Sequence, residues 1–186
     1  MPHSIQDFKS TLVGGGARPN LFQVDLTDVP GTDIDAEKMS ILCKAAALPA
    51  SNIAPIEVPF RGRIFKVAGD RTFDTWTVTI INDTDFSLRN SFETWMQVIG
   101  QMADGSGETN PESYQRSAVV KQFTRQASAL GDVTGNGLDV AKQYRFHGIF
   151  PTNISQIDLS YDTGDTIEEF TVEFQVQYWQ PFTGEN

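Results

Sequence analysis

Few side chains in this sequence are of the types that perform catalysis. The chain of 186 residues has two histidines and one cysteine. Nucleophilic catalysis needs a nucleophile, a base and an orienting group held together. His3 lies at the start of the chain, so the base would have to be His147, which falls within a predicted strand, and no G-x-S-x-G turn supplies a nucleophile. We therefore predict no catalytic residue, and we interpret Cys43 as a small buried hydrophobe.

The sequence predicts neither a metal site nor a cofactor site. One cysteine and two histidines cannot provide the Cys/His spacing of a structural zinc site. The aspartates between Asp25 and Asp35 do not match the spacing of a calcium-binding EF-hand loop. The run Gly14–Gly16 follows no strand and lacks the Lys-Ser/Thr of a phosphate-binding loop, so we interpret it as a hinge. Glu168 and Glu169 point to opposite faces of a strand and would make a poor acid/base pair.

Composition favours one ordinary globular domain over residues 1–186. The chain carries 14 Lys and Arg against 24 Asp and Glu, a net charge of -10, and 39% of its residues are hydrophobic. This is enough apolar material for a core. An acidic chain is poorly suited to wrapping nucleic acid tightly. No apolar run reaches the roughly 20 residues of a membrane span, so we expect no membrane-spanning segment and a reducing cytoplasm as the default compartment.

Charge is segregated along the chain. The segment 38–71 has six basic and two acidic residues, whereas no Lys or Arg follows Arg145 and seven acidic residues do. This segregation has two interpretations: a solvated surface, or basic patches that dock on acidic ones between copies.

Alternation of apolar and polar residues predicts a protein made mainly of strands. The clearest case is 170–178, where Phe, Val, Phe, Val and Tyr alternate with polar residues. The predicted strands are 21–26, 41–47, 53–60, 63–67, 75–82, 119–126, 140–150, 154–161 and 170–178.

One helix is predicted over about 86–102. Its apolar residues recur at the 3.6-residue spacing of a helix that lies on a sheet. Such an aromatic stripe is typical of a core rather than of a cofactor site. These core positions are Leu88, Phe92, Trp95 and Ile99. Together the elements predict a mainly β protein, an antiparallel β-sandwich or barrel with one flanking α-helix.

Two segments are predicted to stand apart from the core. Residues 1–20 contain the glycine run and are interpreted as a flexible N-terminal arm. Residues 47–74 are basic and rich in Pro and Gly, and they are interpreted as a protruding hairpin or loop that turns at Arg61 and Gly62. Pro55 and Pro59 confine its first strand to an edge.

Four stretches of the chain carry a resemblance to a known family. They are TWTVTIINDTDFSLRNSFETWMQVI (75–99), YRFHGIFPTNISQIDLSYDTGDTIEEFTVEFQVQYW (144–179), and the pair AAALPASNI and PFRGRIFKVAGDRTF between residues 45 and 73. Taken in their order along the chain, they resemble the tail tube protein of contractile-tailed bacteriophages, which is related to the tube protein of type VI secretion. The segments ADGSGETNPES and ASALGDVTGNG depart from the family pattern.

The resemblance implies a phage tail tube-like fold and a structural role without catalysis or cofactors. Subunits of this family form six-membered rings whose sheets join into one inner barrel, and the rings stack into a hollow tube. The implied partners are further copies of the chain, the tail sheath protein, the baseplate and tail terminator proteins, the tape measure protein inside the channel, and DNA in passage. The implied location is the virion tail, with host cytoplasm during assembly.

Candidate residues follow from placing the charge pattern in that tube. For the lining of the channel we predict polar residues of the last two strands, namely Asp158, Ser160, Glu173, Gln175 and Gln177. The alternative is that these faces meet solvent or sheath. For ring stacking we predict basic residues of the arm and the hairpin, namely Arg18, Arg61, Arg63, Lys66 and Arg71.

Other functions remain open at this point. The chain could be the tube subunit of a phage-like injection or secretion system. It could also be a monomeric β-sandwich binding module with Trp179 or Trp76 as a ligand platform, or an enzyme that uses His147.

Overall fold

The computed structural model describes residues 4–12, 16–26, 28–32, 34–127, 138–162 and 164–182. Strands dominate, and short helices lie between them. The elements are α1 (Ile5–Thr11), β1 (Phe22–Leu26), α2 (Ala36–Leu42), β2 (Cys43–Ala46), β3 (Ser51–Phe60), β4 (Arg63–Phe73), β5 (Trp76–Ile81), α3 (Ser87–Ile99), α4 (Pro111–Tyr114), β6 (Arg116–Ala127), β7 (Leu138–Ile154), β8 (Glu169–Gln175) and β9 (Tyr178–Phe182).

The main sheet is antiparallel and open. Its strand order is β1-β6-β7-β8-β5-β2, and β9 pairs with β7. The long strand β7 belongs to both halves of this sheet. Its residues 143–147 pair with β9 in the half that also contains β1 and β6, and its residues 150–154 pair with β8 in the half that also contains β5 and β2. Between these two stretches lies Gly148, which has a φ of +62°. A Cβ at this position would lie 2.5 Å from Cγ of Gln177, so a glycine is required where β7 changes partners.

The core lies between the two halves of the sheet. On β5 and β8 the paired residues alternate between a buried face and a polar face. The indole of Trp76 stacks on the ring of Phe146 in β7, with centroids 4.7 Å apart, and this contact joins the two halves. The buried pairs are Trp76 with Phe174, Val78 with Val172, and Ile80 with Phe170.

Helix α3 closes one side of this core. Leu88, Phe92 and Trp95 are buried, and Ile99 is partly buried against them. The indole N–H of Trp95 donates to the carbonyl oxygen of Tyr114 at 2.7 Å, which satisfies the polar atom of a large buried ring.

The mainly β architecture predicted from the sequence is confirmed, with three corrections. First, the sheet is not closed, so no barrel forms within the described part of one chain. Second, α3 is not the one helix, since α1, α2 and α4 accompany it. Third, the predicted strand 41–47 begins in helix α2. The Asp35 carboxylate accepts from the backbone N–H of Lys38 at 3.0 Å and so starts that helix.

The predicted strand 154–161 is also wrong beyond Ile154. The described residues of 155–168 form neither strand nor helix. At Ser155 the side-chain oxygen, rather than the backbone, accepts the N–H of Thr171 at 2.9 Å. The backbone N–H of Ser155 still donates to the carbonyl oxygen of Thr171 at 2.8 Å, and the pairing of β7 with β8 ends at this point. Asp158 and Ser160 therefore lie in a loop and not on a strand face.

Lys38 connects α2 to the turn before α3. Its ammonium contacts the Asp83 carboxylate and donates to Oγ of Ser87 at 2.7 Å. The hydrogen bond from Lys38 holds the pKa of Asp83 below its ordinary value of 3.8. The same hydrogen bond raises the pKa of Lys38 above its ordinary value of 10.5.

The substitution Asp83→Asn is expected to lower the melting temperature at neutral pH but not in acid. A carboxyl whose pKa is lowered by folding stabilises the fold above its unfolded pKa, and this contribution is lost as the pH falls through its folded pKa. The difference from the unmodified protein should therefore vanish well below pH 3.8 in calorimetric scans. Asp85→Asn is the matched control, because Asp85 is 79% exposed and lies 3.8 Å from the ammonium. A difference that stayed constant with pH would contradict the assignment.

Among the described residues, no helix combines the length and the apolar character needed to span a bilayer.

Candidate functional site

Strands β3 and β4 form a separate two-stranded sheet, which we call the ribbon (residues 51–73). Every residue of β3 is exposed, and on β4 only Gly69 and Phe73 are partly covered. Three pairs across the ribbon share one face, which carries five apolar side chains and Arg63: Ile56 opposes Val67, Val58 opposes Phe65, and Phe60 opposes Arg63. These apolar side chains are between 44% and 65% exposed. Exposed apolar surface of this kind is typical of sites that contact another molecule.

The tip of the ribbon is basic. Arg61 and Gly62 form a two-residue turn in which both φ angles are positive, +46° and +80°. Such turns match the twist of paired strands. The Arg61 guanidinium lies 5.4 Å from the centre of the Phe60 ring. On the opposite face of the ribbon the Lys66 ammonium lies 3.4 Å from the Glu57 carboxylate.

The predicted stacking residues are divided between two places. Arg61, Arg63, Lys66 and Arg71 all lie on the ribbon. Arg18 lies outside it, exposed in the segment before β1, where its carbonyl oxygen accepts from the N–H of Leu21. The hinge predicted at Gly14–Gly16 falls largely on residues outside those described.

Helix α1 is a second exposed apolar element. Ile5 and Phe8 are 74% and 65% exposed, Leu12 follows at the helix end with 43%, and no residue of α1 is buried. Sequence reasoning missed this helix because it assigned the whole of 1–20 to a flexible arm. The signal was the spacing of the three apolar residues, together with the capping box in which Ser4 and Asp7 bond each other's backbone N–H groups.

The outer face of β5 and β8 is polar. Thr77 opposes Glu173, and Thr79 opposes Thr171 with their hydroxyl oxygens 3.4 Å apart. Of the predicted channel residues, Glu173 and Gln175 lie on β8, whereas Gln177 lies in the bend between β8 and β9. The strand order leaves β1 and β2 at the two ends of the sheet path, and β9 follows on from the bend.

His147 and Cys43 lie in structural surroundings. The His147 ring stacks on Tyr178 with centroids 4.6 Å apart, and its buried Nε2 has no hydrogen-bond partner among the described residues. Burial, and then the charge of Arg145, lower the pKa of His147. Burial raises the pKa of Cys43 to about 12. Within the described ranges, no group of three or more His, Cys, Asp and Glu residues could hold a metal ion.

Comparison with known proteins places the chain in a family. The family model for phage tail tube proteins matches residues 17–181. The chain belongs to the phage tail tube protein family. It is 35% identical over 167 residues to "Tail tube protein gp19" of Enterobacteria phage T4, and the alignment covers 90% of this chain and 93% of that one. The family predicted from the sequence is thus confirmed.

Two solved structures share the fold of this tail tube protein. The tube-terminating cap of the anti-feeding prophage superimposes with a TM-score of 0.62 at 15% identity, covering 91% of this chain and 92% of that chain. The sheath-tube complex of the extracellular contractile injection system PVC gives 0.58 at 13% identity, covering 94% and 97%. Because the relatives are tail tube proteins and not enzymes, the predicted structural role is confirmed as well.

Proposed function

We propose that this tail tube protein forms hexameric rings that stack head to tail into the inner tube of a contractile tail, through which DNA leaves the virion. The observation that carries the proposal is an open sheet combined with an exposed apolar ribbon. Either feature would make an isolated subunit prone to nonspecific association, and self-assembly accounts for both of them.

Ring formation uses the open edges of the sheet. The terminal strands β1 and β2 each have one neighbour in the sheet path. The outer backbone N–H and C=O groups of such edge strands are satisfied when they pair with the edge of a neighbouring copy. Six such junctions close a ring and turn six open sheets into one barrel.

Stacking uses the ribbon and the arm. A head-to-tail contact is heterologous, so it repeats without closing and gives an open filament. The basic residues Arg18, Arg61, Arg63, Lys66 and Arg71 are proposed to contribute to this contact. Because the contact has no internal end point, another component must set the length of the tube.

The outer face of β5 and β8 is proposed to line the channel. It carries Glu173 and Gln175 among threonines. Six copies at -10 each carry -60 per ring, and carboxylates on the wall repel phosphate and keep DNA from adhering. Screening limits this repulsion to about 10 Å from the wall at 0.1 M salt. Asp158 and Ser160 lie in a loop at the end of the sheet, and we do not place them on the wall.

The substitution Glu173→Lys is expected to leave tubes intact and to reduce DNA delivery, because six added lysines per ring would bind phosphates. Infectivity in a complementation assay measures the loss, and electron microscopy verifies the tubes. Glu112→Lys makes the same change of charge at an exposed residue of α4, away from β5 and β8 in the sequence, and should deliver DNA normally. Unaltered infectivity of Glu173→Lys would remove Glu173 from the wall.

The proposed partners follow those of the fold relatives. Structures of related assemblies contain a sheath with a tube, a sheath/tube terminator and a baseplate. We infer that this chain likewise meets a tail sheath protein, a terminator and a baseplate in the virion tail, with the tape measure protein in the channel before DNA. Assembly would take place in the host cytoplasm.

Negative-stain microscopy of the concentrated protein tests the proposal. Rings or tubes are expected. Isolated particles at every concentration would favour a monomeric binding module instead. Trp179 is the one remaining platform for such a module, since Trp76 is fully buried. A tube subunit of an injection device other than a phage would give the same particles, and its sheath partner would distinguish it.

A further inference from the structure

The ribbon and the loop between β7 and β8 lie at opposite ends of strand β5. The ribbon closes next to the start of β5, where the N–H of Asp74 donates to the carbonyl oxygen of Ala50 at 3.1 Å. At the other end, the N–H of Asn82 donates to the carbonyl oxygen of Glu168 at 2.9 Å. The six residues of β5 separate these points by about 20 Å, at about 3.3 Å per residue.

The tip of the ribbon, residues 60–65, combines apolar and basic groups. Phe60, Ile64 and Phe65 are 64%, 60% and 65% exposed. Arg61 and Arg63 are exposed on either side of Gly62. Glu57 is the acidic residue closest to the tip in the sequence. Its carboxylate is paired with Lys66, so it does not neutralise Arg61 or Arg63.

The loop, described at residues 155–162 and 164–168, combines apolar and acidic groups. Leu159 and Ile167 are 80% and 71% exposed, and Tyr161 is fully exposed. Around them lie the exposed carboxylates of Asp162 and Asp165. The ion pairs between described residues involve neither of these aspartates, and no Lys or Arg follows Arg145 in the sequence.

On the basis of the proposed tube, we propose that the ribbon tip of one copy docks on the 155–168 loop of a second copy in the adjacent ring. The two surfaces have opposite charge and each exposes large apolar side chains, so they complement each other in both respects. They lie at opposite ends of one subunit, so the contact passes from copy to copy along an axis. Guanidinium and carboxylate groups form strong hydrogen bonds when such a contact excludes water.

Charge reversal tests this contact. The tip variant is Arg61→Asp with Arg63→Glu, in which Asp is chosen because it tolerates the positive φ of position 61. The loop variant is Asp162→Lys with Asp165→Lys, and a third protein combines all four changes. We expect each reversal alone to form rings but to shorten tubes at least tenfold in micrographs, because like charges then face each other. The combined variant should restore the tubes.

The control for added charge is Glu108→Lys with Glu112→Lys, which alters two exposed acids elsewhere and should leave tubes normal. Normal tubes from the loop variant would overturn the proposal, as would a combined variant no better than the single reversals. Both outcomes would point to another occupant of the tip, such as α1 or the sheath. Absence of rings from the unmodified protein would instead contradict the proposed function itself.

Disulfide trapping gives a second readout. The natural Cys43 is buried, so new cysteines dominate the reaction. Arg63→Cys combined with Asp162→Cys should give a ladder of linked subunits longer than a dimer on oxidation of tubes, because each subunit links at both ends. Each single cysteine variant should stop at a dimer. Tubes of the double variant that gave no ladder would refute the contact.

Discussion

Replacing Trp76 by alanine is expected to destabilise the fold by about 3–5 kcal/mol, the range for removal of a large buried aromatic side chain. Trp76 is fully buried. It stacks on Phe146 at 4.7 Å and lies 5.2 Å from Phe174, so it contacts β7 in one half of the sheet and β8 in the other. Chemical denaturation followed by circular dichroism measures the loss. A marginally stable domain would unfold largely at physiological temperature.

Thr77→Ala is the matched control for this substitution. Thr77 is the next residue on the same strand and lies on the opposite, polar face. Its removal should change the free energy of unfolding by about 0.5 kcal/mol or less. Trp76→Phe keeps an aromatic ring in the core and should fall between the two. Equal losses for Trp76→Ala and Thr77→Ala would show that Trp76 does not join the two halves of the sheet.

Removal of the ribbon is expected to abolish tubes and to leave the subunit folded. Ala50 and Asp74 already share a backbone hydrogen bond, so an Asn-Gly turn can replace residues 51–73. The main loss within the subunit is the edge contact between the rings of Phe73 and Trp179, whose centroids are 6.0 Å apart. The melting temperature should therefore change little. Sedimentation velocity should show subunits or single rings and no tubes.

The control for this deletion keeps the ribbon and changes its apolar face. Val58→Thr with Phe65→Thr retains strand-forming residues at two opposed positions. We expect this protein to form fewer tubes than the unmodified protein and more than the deletion. Tubes of normal length without the ribbon would contradict its role in stacking.

The sequence correctly predicted the strands that have one face on the core of the subunit and the other face outside the core. On β5 and β8, apolar residues meet the core and polar residues face outward, so alternation located both strands. The same alternation continued through Ile157 and Leu159, where it was misleading. Ser155 replaces a ladder hydrogen bond with its side chain, and a pattern of hydrophobicity contains no information about that exchange.

The charge of the candidate surfaces could be predicted from the sequence, whereas their exposure and position could not. The basic residues of the ribbon stood out in the sequence, and Arg61 and Arg63 do lie at its tip. The apolar side chains of the ribbon were not among the predicted contact residues. Alternation does not reveal whether a second layer covers a strand, because that depends on contacts distant in sequence. The acidic run after Arg145 was also evident in the sequence, but its position opposite the ribbon was not, because that position follows from the pairing of β5 with β8.

The burial of Cys43 makes it an internal reporter of the fold. It is the one cysteine of the sequence, and with a pKa of about 12 it holds almost no thiolate, the form that alkylating reagents attack. Cys43 begins β2 and pairs with Ile80 at the margin of the sheet. Its rate of alkylation therefore measures how often this margin opens, and incorporation into a ring that covers β2 would slow that rate.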